Sequence, residues 1–129
     1  MSNSRKDRLK KVLTLQEQLK RLHETRHAML LSSAVAAQRE AEEIVQRIGV
    51  EGSLSEVFPE IYHRRIAKAN QQRVERLSHA REEAQRVAQA NVRTDIVERN
   101  YREALREDER YRIEKEQLEN VERRHRSGK

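Results

Sequence analysis

The amino-acid sequence predicts an all-α protein, a long antiparallel two-helix coiled-coil hairpin whose C-terminal helix overhangs. Three observations lead there. Of 129 residues, 39% are charged and 35% belong to the apolar class, with only four aromatic rings, Phe58, Tyr62, Tyr101 and Tyr111. A compact domain of this length wants roughly half its residues apolar, so the balance leaves disorder or an elongated helical protein. The helix breakers are confined: Gly49, Gly52 and Pro59 lie close together, and Gly128 lies at the far C-terminal end. Between them, apolar residues recur at alternating steps of three and four, the period of a helical seam.

The first helix is expected over 5–48. Val12, Leu15, Leu19 and Leu22 follow the seam spacing, and Leu30, Ala34, Ala37, Ala41, Ile44 and Ile48 resume it. Two steps of four through Arg26 join the two runs, a stutter that would unwind the supercoil locally. The small Ala34, Ala37 and Ala41 predict close helix approach. Residues 49–59 are the tip turn, with Gly49 as the C-terminal cap, a capping-box spacing at Ser53 and Glu56, and Pro59 suited to a first helical turn. Leu54, Val57, Phe58, Ile61 and Tyr62 make this tip apolar. They read either as a hydrophobic staple closing the hairpin or as an exposed docking patch.

The second helix is expected over 60–126. Ile66, Val74, Leu77, Ala80 or Arg81, Ala84, and Val87 or Ala88 give it a seam. Past Val97 the seam thins to Tyr101, Leu105, Tyr111, Leu118 and Val121, while acid-first pairs four apart, such as Glu98 with Arg102, support a solvated helix at about 0.2–0.5 kcal/mol each. Folding about residue 54 pairs positions whose numbers sum to roughly 109, by the antiparallel geometry of a helix hairpin. Arg5 then meets Ala104, and the residues beyond about Leu105 have no partner in the hairpin.

Charge is blocked along the chain. Residues 1–30 carry eight basic and three acidic groups, 31–62 two and six, 63–93 eight and three, and 94–129 ten and ten. The acidic end of helix 1 thus faces the basic start of helix 2, which favours the antiparallel arrangement. A nucleic-acid site could be built on Arg5, Lys6, Arg8, Lys10 and Lys11, but no stacking aromatics accompany them, so a solvated basic end or a contact with an acidic protein is the better reading. The absence of cysteine leaves no disulfide framework or thiolate metal site, and the cytoplasm is the default compartment. No stretch approaches the ~20 apolar residues of a membrane span, and the basic N-terminus is followed by amphipathic, charged sequence rather than the apolar core of a signal peptide.

One motif looks like chemistry. His23-Glu24-Thr25-Arg26-His27 matches H-E-x-x-H, which in zinc hydrolases places two histidine ligands on one helix face with a glutamate activating a bound water. Catalysis also needs a third ligand and a cleft, and a two-helix hairpin supplies no cleft. Glu82 and Glu83 are expected near His27 across the hairpin, which would permit adventitious zinc binding. His63, His79 and His125 read as surface residues. No catalytic, metal or cofactor site is therefore assigned, and the chain is read as a non-enzyme without a small-molecule substrate.

Leu9, Val12, Leu13, Leu15 and Glu17 in RLKKVLTLQEQ, with Val97-Glu98-Arg99 and the run REALREDERYRIEKEQLENVERR, resemble the FliJ family of flagellar export stalk proteins and their type III secretion relatives. The resemblance implies a cytoplasmic coiled coil, similar to a rotary ATPase central stalk and peripheral to the membrane export apparatus. Such a stalk inserts into the export ATPase ring, helps assemble it, couples it to the export gate membrane protein, and binds export chaperones. On this sequence the paired ends, Leu9, Val12, Leu15 and Leu19 with Tyr101 and Leu105, would enter the ring. Leu54, Val57, Phe58, Ile61 and Tyr62 would meet the gate, and the membrane would be reached only through protein partners. The competing reading is a generic oligomeric coiled-coil adaptor or scaffold.

Overall fold

The structure, a computed structural model, describes residues 4–50, 52 and 54–128. Two helices make up the fold, α1 over Arg5–Arg47 and α2 over Pro59–Ser127, and they pack antiparallel against each other. Their ends fall within a residue of the expected boundaries. Ser4 caps α1, its hydroxyl oxygen accepting the Asp7 backbone N–H at 3.2 Å. This satisfies one of the amides that a helix start leaves without a partner.

At the other end of α1, Gly49 takes a φ of 82°, the left-handed conformation in which a side chain would be strained. The Gly49 amide also donates to the buried Ser55 hydroxyl at 3.3 Å, tying the helix end to the turn. A further turn follows: the Val57 and Phe58 amides both donate to the Leu54 carbonyl, and Pro59 then opens α2. Proline suits that place because its fixed φ is helical and its missing N–H would have had no partner. The capping box expected at Ser53 rests on a residue outside those described.

The chain divides into two compact units, residues 1–19 with 90–129 and residues 20–89. In the second unit a recessed stripe on α1 runs through Lys20, His23, His27, Leu30, Ala34, Ala37, Ala41 and Ile44 in unbroken steps of three and four, with Ser33 recessed beside it. The matching stripe on α2 runs through Tyr62, Ile66, Ala69, Arg73, Arg76, Ala80, Glu83 and Val87, with Gln72 and Leu77 half-buried at its edges. The best-covered groups are alanines, with Ala37 2% and Ala69 1% exposed. Small side chains let two backbones come close, so the seam is tight although it contains little apolar volume. Arg76 donates to the Ser33 carbonyl at 3.4 Å, which agrees with the expected pairing sum of roughly 109.

In the first unit the recessed residues include Leu9, Leu13 and Gln16 on α1 and Ala90, Thr94, Val97, Tyr101 and Ala104 on α2. Arg5 pairs with Glu107 and Lys6 with Asp108, each at 3.4 Å. From residue 105 to 128 every described residue of α2 is exposed, so the overhang expected past Leu105 is present. Of the acid-first pairs that the spacing offers along α2, Glu98 with Arg102 closes at 2.6 Å, whereas Asp95 with Arg99, Asp108 with Arg112, Glu119 with Arg123 and Glu122 with Arg126 stay open.

The seam itself differs from expectation. Val12, Leu15, Leu19 and Leu22 are exposed, and no stutter occurs at Arg26, which faces solvent. Counting back from Ala34 in strict four-three steps gives Leu30, His27, His23, Lys20, Gln16, Leu13 and Leu9, and this polar path is the one that is recessed. The alanines decide the phase, because they form the tightest stretch and a helix cannot change phase without an insertion in its repeat. On α2, Val74, Ala84 and Leu105 likewise lie outside the packed stripe, while Arg73, Arg76 and Glu83 lie in it.

Candidate partner-binding surfaces

Displacing the leucines from the seam produces the first surface. In the unit formed by residues 1–19 and 90–129, Val12, Leu15 and Leu19 stand one position before the recessed Leu13, Gln16 and Lys20, about 100° around the helix. Leu15 is 58% exposed and borders a shallow recess with Lys10, Lys11, Thr14 and Gln18. An apolar stripe edged by ammonium groups fits the apolar face of a partner helix that carries acids at its border. Of the other expected ring-contact residues, Leu9 and Tyr101 are half-buried in the seam and Leu105 is exposed.

The tip provides the second surface. Leu54, Val57, Phe58 and Ile61 are all exposed, Phe58 at 49%, and Val50 joins them from the other side of the turn. Tyr62 alone among the expected tip residues is half-buried. A hydrophobic staple would cover Val57 against α2, yet Val57 is among the most exposed large hydrophobic residues described. Of the two sequence readings, the geometry keeps the exposed patch. Ser55 and the left-handed Gly49 hold the turn, leaving the apolar groups outside.

The HETRH segment lies in the unit of residues 20–89 and is structural. His23 and His27 are both recessed toward α2, whereas Glu24 is exposed and pairs with Lys20 at 3.9 Å. The motif glutamate therefore lies away from the face its histidines share. Glu83 meets His23 and not His27: the His23 Nδ1–H donates to the Glu83 carboxylate at 2.7 Å, and Arg86 donates to its other oxygen at 2.7 Å. The His23 hydrogen bond holds the Glu83 carboxyl below the usual carboxylate range, with burial opposing and Arg86 assisting. Glu82 is exposed, and among the described residues no three histidine, aspartate or glutamate side chains gather as metal ligands.

The basic N-terminal cluster is partly neutralised, since Arg5 and Lys6 are drawn onto Glu107 and Asp108. No helix among the described residues is long and apolar enough to cross a membrane. No family model, curated protein or solved structure matches the chain.

Proposed function

We propose that the chain is a non-enzymatic coiled-coil stalk of a flagellar or type III protein export apparatus, acting peripherally at the cytoplasmic face of the membrane. In this reading the stripe Val12, Leu15 and Leu19 contacts the export ATPase ring and helps assemble it. The tip at Leu54, Val57, Phe58 and Ile61 meets the export gate, and export chaperones dock along the exposed helix surfaces. The supporting observation is the exposure of these apolar groups outside the seam, because apolar side chains that do no packing inside the hairpin are free to pack elsewhere.

The test is co-sedimentation with, and stimulation of, the export ATPase encoded beside the gene. Binding and a rise in ATPase rate are expected for the wild type and are expected to be lost in a Leu15→Glu, Leu19→Glu double variant that retains its helicity. An ATPase that neither binds nor responds to the wild-type chain would sink the proposal. A second reading, a self-associating scaffold, is favoured by the exposed Tyr111, Leu118 and Val121 on the overhanging part of α2. Concentration-dependent assembly that is lost on removal of residues 109–129 would support it.

A further inference from the structure

The two flanks of the hairpin formed by residues 20–89 differ in charge. On one flank α1 presents Ala28, Leu31, Val35, Gln38, Glu42 and Val45, each one position after a recessed residue. At matching levels α2 presents Ala67, Asn70, Val74, Leu77, Arg81 and Ala84, again one position after its recessed residues. Across both rows there are two formal charges, Glu42 and Arg81. The opposite flank of the same stretch carries Glu40, Glu43, Arg65, Lys68, Glu75 and Glu82, all exposed. In a chain that is 39% charged, one flank has thus been kept nearly free of charge.

This flank is open. Val35 and Val45 are exposed, and Val74 is 58% exposed. Between the rows runs a groove of about 470 Å³, lined by Gln38, Glu42, Val45, Ile66, Asn70 and Arg73. The Arg73 Nε beside it is buried with no hydrogen-bond partner.

We propose that a second copy of the chain occupies this flank, forming a four-helix dimer. The placement of the two charges points to that occupant. The Arg76–Ser33 hydrogen bond and the shared groove at Gln38 and Asn70 set Val35 level with Val74, Glu42 level with Ala67, and Arg81 level with Ala28. A two-fold axis crossing the hairpin at Val35 and Val74 reverses the second copy. It lays the central Val35 and Val74 on their counterparts, carries each Glu42 to the level of the other copy's Arg81, and brings no like charges of the two rows together; Arg73, recessed in the groove, lies near the axis in both copies. A flank bearing one acid and one base at equal distances from an apolar centre is complementary to itself, as an isologous interface requires. From Ala28 to Val45 the flank runs about 25 Å and, two helices wide, covers on the order of 500 Å² per copy. Two copies together reach about 1,000 Å², where specific association begins.

The inference is independent of the export reading, since it uses neither the Leu15 stripe nor the tip. Sedimentation equilibrium of the full chain over a hundredfold concentration range is expected to show a monomer–dimer equilibrium. A Val35→Glu, Val74→Glu variant is expected to remain monomeric throughout, with unchanged helical circular dichroism, because both positions are already exposed. Glu42→Arg alone and Arg81→Glu alone are each expected to weaken the dimer several-fold, and the double exchange to restore it. A wild-type chain that stays monomeric overturns the proposal. So does a dimer that persists in the Val35→Glu, Val74→Glu variant, or one that depends on residues 109–129, or a double exchange without recovery.

Discussion

Two stretches of the same seam solve the packing problem in opposite ways. Around Ala34, Ala37 and Ala41, facing Ala69, the best-covered groups are small and apolar. Around His23 and His27, facing Glu83, the contact is polar and directional, with two 2.7 Å hydrogen bonds converging on one carboxylate. Alanine against alanine brings helices close without a directional bond between the two, although a slip of one heptad would set Tyr62 or Arg76 in the place of Ala69. A buried carboxylate discriminates strongly. If α2 slipped, Glu83 would lose His23 and keep only Arg86, its neighbour on the same helix, so one buried carboxylate oxygen would go unpaired, which is costly. The alanine stretch therefore supplies proximity, and the histidine layer supplies register.

That division makes the alanine stretch the more sensitive to added volume. Ala37 has no room around it, and Ala37→Leu must spread the helices or leave its rotamer wells. A loss of about 1–3 kcal/mol is expected, read by urea or thermal unfolding. The same enlargement at the exposed Ala36, its neighbour in sequence, is expected to stay within about 0.5 kcal/mol. Equal losses at the two positions would show that the phase assigned to α1 is wrong.

In the polar layer the sensitivity is to pH. Glu83 titrates below the usual carboxylate range in the folded chain, so the folded state binds its proton less readily than the unfolded state does. Its contribution is therefore fully present above the unfolded-state value and is lost as pH falls through the lower, folded-state value. Glu83→Gln is expected to lower the melting temperature at neutral pH and to converge on the wild type in acid. Parallel wild-type and Glu83→Gln stability curves from pH 7 to pH 3 would remove His23 and Glu83 from the account of register.

How much of this was legible depends on what each signal measures. Helix ends follow from local rules, and Gly49, Pro59 and Ser4 behave as those rules require. The antiparallel pairing follows from chain length and one turn, so Arg5 does lie beside Ala104. The seam phase was misread because hydrophobicity marks residues that avoid water without saying what they avoid it with. Val12, Leu15, Leu19 and Leu22 form the more conspicuous repeat, yet Gln16, Lys20 and His23 occupy the interface. One signal could have found it: the four-three count back from Ala34 needs no stutter, whereas the leucine path does. The tip reads both ways in sequence, because nothing local says whether Val57 turns toward α2 or away.

The smallest expected effect tests that misreading most directly. Leu13 and Leu15 stand two residues apart, on the same helix, with the same side chain. Leu13 is half-buried in the seam and Leu15 is 58% exposed. A half-buried leucine contributes roughly 1 kcal/mol through the apolar area it removes from water, so Leu13→Gln is expected to cost about that much in an unfolding titration. Leu15→Gln is expected to change stability by less than about 0.5 kcal/mol, because the side chain it replaces already meets solvent. The leucine-path seam requires the reverse order. Because both substitutions have the same intrinsic helix propensity cost, the difference between them isolates the packing, and its sign alone decides which stripe of α1 holds the hairpin and which one is left for a partner.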